Sequence, residues 1–196
     1  MRRKPVYTAD VLRLLPIPMF TTADAAKLVP DDNMFLYRAA KKGYVKRIAN
    51  RVYWNVLFSP TPPTVEQVAC FVRQPSYISC EWALHYHGVL LQSPTVCTAV
   101  TLHSGIGKRS TLRFGDYCIE YSRMAEKLYL FSEIVSLDGV LMATPEKALL
   151  DTIYLRRRIP FHDELEVEGL GKEKLKNLSA LYPKSVQRNI ISLSER

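Results

Sequence analysis

The apolar positions of the first sixty residues change their spacing in an ordered way. From Thr8 to Leu15, Val11, Leu12 and Leu15 recur at helical intervals behind Thr8 as an N-cap, and Pro16 and Pro18 end the run. Thr21 opens a second short helix, with Asp24 three positions on in the arrangement of a capping box, and Pro30 stops it. A third helix follows over about residues 33–42, behind Asp31 and Asp32, whose charge suits its positive end. At 100° per residue its Leu36, Ala39, Ala40 and Gly43 share one face. Met34, Tyr37, Arg38 and Lys41 lie opposite, with Lys42 near the edge. Gly43 supplies a left-handed stop. The period then drops to two. Residues 44–48 alternate as a strand, Ala49-Asn50 makes a short turn with Asn suited to a positive φ, and residues 51–56 return.

Two short helices followed by a hairpin is the order of parts of a winged helix-turn-helix, a duplex-DNA reader. Residues 1–58 are expected to form it. The candidate DNA-contacting residues are Asn33, Met34, Tyr37, Arg38, Lys41 and Lys42 on the third helix. Lys46, Arg47, Asn50 and Arg51 join them at the hairpin. Arg2, Arg3 and Lys4 form a basic arm that either enters a minor groove or frays in solvent.

Three prolines within residues 60–63 break the pattern, so residues 59–63 are expected to be a linker and residues 64–196 a second domain. There, residues 64–72 and 80–87 have helical spacing, with Ser79 capping the latter and Gly88 closing it. Residues 95–102 are rich in β-branched side chains and predict a strand. Residues 109–114 and 117–122 predict two more, turning at Gly115-Asp116. Residues 128–131 and 139–142 are expected to add short strands. Thr144 as cap, Pro145 in the first turn and Glu146 near the positive end start a helix through Leu155. Arg156, Arg157 and Arg158 stand at its carboxyl end, and residues 172–193 read as two helices interrupted by Pro183. The expected class is α+β: a winged helix-turn-helix, then a mixed α/β domain with a mainly antiparallel sheet.

Charge sharpens this division. The net charge is +8, and residues 1–58 carry 11 Lys and Arg against 4 Asp, whereas residues 59–196 carry 16 basic against 15 acidic side chains. The basic excess therefore sits with the expected DNA reader. No window is apolar enough for a membrane span. Asp10, Arg13, Pro16 and Pro18 interrupt the only signal-like stretch, so a cytoplasmic protein is expected. Four cysteines without a CxxC pair suit free thiols in a reducing compartment.

Three apparent chemical motifs fail on spacing. His85 and His87 would project about 200° apart on a helix and cannot easily share a metal. Residues 105–110 look like a phosphate loop, but Arg109 separates Gly107-Lys108 from Ser110 and a strand follows where a helix is needed. A basic hairpin loop is the better reading. Asp116 and Glu120 suggest a nuclease pair, yet Ser122 stands where the usual Lys would, and no further carboxylate joins them. No catalytic site, metal or cofactor is expected, and the chain does not read as an enzyme.

The stretches TTADAAKLV with YRAAKKGYVKRIANRVYW, then SYISCEWALHYHGVL, then MATPEKALLDTIYL, taken in order, resemble the AbiEi antitoxin family of type IV toxin–antitoxin systems. The resemblance spans nearly the whole chain. It implies an N-terminal winged helix that represses its own promoter at inverted repeats, bound as more than one copy. It also implies a C-terminal domain that counteracts a nucleotidyltransferase-type toxin, and it names no residues for that role. Two other functions fit the residues alone: a one-component transcription factor with a ligand-sensing C-terminal domain, and a nuclease targeted by a winged helix.

Overall fold

The computed structural model describes residues 8–103, 110–159 and 164–194. The basic arm at Arg2–Lys4 and all but the last residue of the loop at 105–110 lie outside them. The protein is a mixed α+β chain that divides into two compact units, Met1–Thr64 and Val65–Arg196.

The first unit contains α1 (Thr8–Arg13), β1 (Met19–Thr21), α2 (Thr22–Ala26), α3 (Asp32–Lys41), β2 (Val45–Ala49) and β3 (Val52–Asn55). The strands form an antiparallel sheet in the order β1-β3-β2. β1 is too short to show any periodicity, and the apolar pattern does not predict it. It exists because Asn55 closes its base: the Asn55 amide donates to the Pro18 carbonyl at 2.8 Å, and its side chain donates to the Leu15 carbonyl at 2.9 Å. The capping box forms as spaced, with Thr21 N donating to Asp24 at 2.9 Å and Asp24 N to Thr21 Oγ1 at 3.3 Å.

Val11, Leu12, Phe20, Phe35, Leu36, Ala39 and Val45 make one core. Here the helical wheel needs correcting. Phe35 is buried, whereas Ala40 and Gly43 are exposed. A phenyl ring gains far more than a methyl from leaving water, so α3 rotates to sink Phe35. The hairpin turn also differs. The positive φ falls at Arg51 (60°), not Asn50, and the β2–β3 register shifts between Arg47 and Ala49.

The second unit contains α4 (Val65–Val72), β4 (Ser76–Ser79), α5 (Cys80–Tyr86), β5 (Val96–Thr101), β6 (Ser110–Phe114), β7 (Tyr117–Arg123), β8 (Ile134–Leu137), β9 (Val140–Ala143), α6 (Pro145–Arg156), α7 (Lys172–Ser179) and α8 (Lys184–Ser194). The six strands pair in the order β6-β7-β5-β4-β9-β8. β5–β7 and β4–β9 are parallel and the other three pairings antiparallel. β4 sits inside the sheet, and its side chains are buried on both faces. Tyr77 and Ser79 point to α6, while the Ser76 side lies against α4.

Residues 128–131 are not a strand. They run from the end of one 3-10 turn, Glu126–Leu128, to the start of another, Phe131–Glu133, which leads into β8. Ser79 and Thr144 occupy N-cap positions without a side-chain cap hydrogen bond; their hydroxyls are turned toward Asp151 and Glu133, to which they donate. Among the described residues no helix is long and apolar enough to cross a membrane.

Candidate nucleic-acid interface

α3 is fixed from one side only. Asp31 Oδ1 accepts from the Met34 amide at 3.0 Å and closes its amino end, and Phe35, Leu36 and Ala39 anchor it in the core. Asn33, Met34, Tyr37, Arg38, Lys41 and Lys42 are all exposed. Tyr37 is 64% exposed and Met34 45%, so both are open to a partner on this face. The arc is polarised along its length. Its amino half offers Asn33, Met34 and Tyr37 beside the acids Asp31 and Asp32, and its carboxyl half offers Arg38, Lys41 and Lys42. Neutral hydrogen-bonding and apolar groups suit base edges and thymine methyls, and the cations suit phosphate oxygens.

The hairpin extends the cationic set. β2 is a sheet edge, with Lys46 and Arg47 exposed on it and Asn50 and Arg51 at the turn. Two of the ammonium groups are held over aromatic rings, Lys42 Nζ 5.9 Å from the Tyr44 ring centre and Lys46 Nζ 5.1 Å from that of Trp54. Such stacking restricts a long flexible side chain and lowers the entropy lost when it meets an anion. Arg47 is braced by its own turn, donating to the Ala49 carbonyl and the Asn50 side chain at 3.2 Å each. Asn50 is therefore a support for Arg47 as well as a surface group. The Arg51 carbonyl accepts from Thr22 N at 3.0 Å, which ties the turn to the start of α2. Nearby, Asp24 is held down to a pKa of about 2 by hydrogen bonds from Lys27 and Thr21, so the cap stays ionised.

In the second unit the chemically suggestive residues are occupied by structure. His85 Nδ1 lies 3.0 Å from the Leu90 carbonyl and His87 Nε2 2.8 Å from that of Ala143. Among the described residues no cluster could hold a metal ion. Asp116 is exposed at the β6–β7 turn, whereas Glu120 is bound by Arg156, whose guanidinium also meets Glu81 and Thr98. Burial alone would lower the Arg156 pKa, but Glu120 and Glu81 raise it. Arg156 is thus not the free helix-end cation its position suggested.

A buried ion pair is not foreseen by the sequence patterns at all. Lys147 and Asp151, both fully buried on α6, lie 3.0 Å apart. Lys147 also donates to the Leu128 carbonyl at 2.9 Å, and its ammonium sits 5.0 Å from the centre of the Tyr77 ring. Asp151 accepts from Tyr77, Ser79 and Tyr182 at 2.9, 2.8 and 2.6 Å. Burial first, and the Asp151 charge second, push both tyrosines well above their ordinary pKa. Every polar atom of the pair has a partner, which is the condition for a buried charge to be tolerated. The only trace of it in the sequence is an i,i+4 Lys–Asp spacing, which also describes countless solvent-facing pairs. The chain matches no protein-family model, and no curated protein matches it.

Proposed function

We propose that the first unit is a winged helix-turn-helix that reads the major groove of duplex DNA with α3 and grips the phosphate backbone with the β2–β3 hairpin. On this reading the chain is a transcriptional autorepressor and the antitoxin of a type IV toxin–antitoxin system, opposing a nucleotidyltransferase-like toxin. One observation carries the DNA half. A helix packed on one face exposes Tyr37, Arg38 and Lys41 on the other, beside an edge strand whose Lys46 and Arg47 are braced in place. The concentration of positive charge in residues 1–58 supports it independently.

The antitoxin half rests on the resemblance of the three stretches quoted above, and the Lys and Asp of MATPEKALLDTIYL have a physical role that fits a fold-defining motif. They are the buried pair that joins α6 to β4 and Tyr182.

The test is binding of the purified protein to DNA from upstream of its own reading frame, followed by fluorescence anisotropy across a salt series. Affinity should fall steeply with salt, and Arg38→Ala or Lys41→Ala should weaken it. Unchanged affinity in both variants would remove α3 as the reader. The protective half is tested by co-expression with the adjacent gene. The full chain should restore growth, and a 1–64 fragment that still represses should not.

A further inference from the structure

Three consecutive arginines end α6, and the fold sends the first two to different places. Arg157 is left-handed (φ 60°), so the chain turns sharply after Arg156. Arg156 is consumed by Glu81 and Glu120. Arg157 instead lines a separate cleft of about 610 Å³ between the ends of β7 and α6 and the start of α8. Arg123, the last residue of β7, lines it too, with Tyr154, Ser185 and Asn189. Among the described residues neither Arg123 nor Arg157 takes part in an ion pair, and no acidic side chain lines the cleft.

Three other cations of the unit are instead matched by carboxylates. Lys147 is paired with Asp151, Lys174 with Glu133 and Glu146, and Arg156 with two glutamates. Two arginines lining one acid-free concavity give it a positive field that favours an anion. Their planar forks match phosphate oxygens, which accept two parallel hydrogen bonds from each. The remaining walls are chemically different. Ile153 and Val186 give an apolar floor, the Tyr154 ring is anchored edge-on to Tyr182 at 6.1 Å, and Asn189 has already committed its amide to the Ser185 carbonyl. That leaves the Asn189 Oδ1 as an acceptor for a donor on the ligand. A cleft of this volume is of the size that holds a small organic ligand.

We propose that the Arg123–Arg157 cleft binds a nucleoside phosphate, with the two arginines on the phosphate and the nucleoside against Tyr154 and the apolar floor. The site is independent of the α3 surface, so either assignment can fail without the other.

Isothermal titration of the full-length protein tests it with ATP, GTP, adenosine, inorganic phosphate and a short duplex without the promoter sequence as probes. ATP or GTP should bind and adenosine should not. Phosphate should compete weakly, and Arg123→Gln or Arg157→Gln should weaken nucleotide binding by about tenfold or more. Both arginines are exposed at their ends of β7 and α6, so the variants should keep the parent's melting temperature, and Lys41→Ala should bind nucleotide normally. Absence of nucleotide binding, or equal binding by both Gln variants, overturns the proposal. So does competition by the duplex together with loss of duplex binding in those variants, which would make the cleft part of a nucleic-acid surface.

Discussion

The cations on the α3–hairpin surface and those around the buried α6 network are used in opposite ways. In the first, Arg38, Lys41, Lys42, Lys46, Arg47 and Arg51 all stand exposed, over a cluster of apolar side chains that includes Phe35, Leu36 and Ala39. In the second, Lys147 is buried in the core, and Arg156 and Lys174 are bound by carboxylates. Similar side chains are therefore structural in one place and available in the other. What separates them is whether the fold supplies an anion. Counting charges misses this distinction, because a cation already matched by a carboxylate adds little attraction for a partner.

The largest effect is expected at Asp151. Asp151→Ala strands the Lys147 charge among apolar groups and leaves the Tyr77, Ser79 and Tyr182 hydroxyls without their acceptor. A loss of about 3–5 kcal/mol is expected for removing one member of a buried pair, measured by urea unfolding. The double variant Lys147→Met with Asp151→Leu should recover part of it. Failure to recover any would show that the loss comes from the stranded hydroxyls and not from the unpaired ammonium. Phe20→Ala tests the other core. Phe20 is fully buried and stacked on Tyr53 at 5.9 Å, and its truncation should cost about 3–5 kcal/mol in the first unit without depending on charge or salt.

Surface cations should behave differently. Arg38→Ala and Lys41→Ala are expected to leave the melting temperature within experimental error. Each should reduce DNA affinity and flatten the slope of log K against log salt by about 1. A destabilised Lys41→Ala would show that this side chain too is structural. The smallest effect concerns the capping box. Asp24 has a folded pKa of about 2 against an ordinary 3.8, so its contribution is present above pH 4 and is lost as the pH falls toward 2. Asp24→Asn should remove that acid-side slope from the unfolding curve of the first unit and cost about 1 kcal/mol near neutrality, a typical value for a helix cap.

Legibility followed the range of the interactions. The Thr21–Asp24 cap and the Gly115 turn depend on neighbours within four residues and could be read directly. So could the course of α3, except that the wheel weighted Ala40 equally with its neighbours and overlooked Phe35. β4 was invisible for a different reason: covered on both faces, its Ser-Tyr-Ile-Ser has no alternation to display. The Ser79 and Thr144 hydroxyls are typical caps by sequence, and only the fold brings in Asp151 and Glu133, toward which they turn. Arg156 resembled a solvated helix end because its partners Glu81 and Glu120 are far away along the chain. The α3 surface was open to sequence reasoning because its side chains need no distant partner, whereas the Arg123–Arg157 cleft depends on three elements meeting.

The position of β4 also sets an order of assembly. All the pairings of the first sheet are complete once Asn55 has been synthesised. β4 can pair with β5 soon after it emerges, but its other edge waits for Met142, and the acceptor for its Tyr77 and Ser79 hydroxyls arrives only with Asp151. Tyr182, the last member of that network, comes later still. Contacts of such long range form slowly, and a growing chain folds its early units first. The nascent protein therefore passes through a stage in which the α3 surface is formed while the second unit is still open along the middle of its sheet.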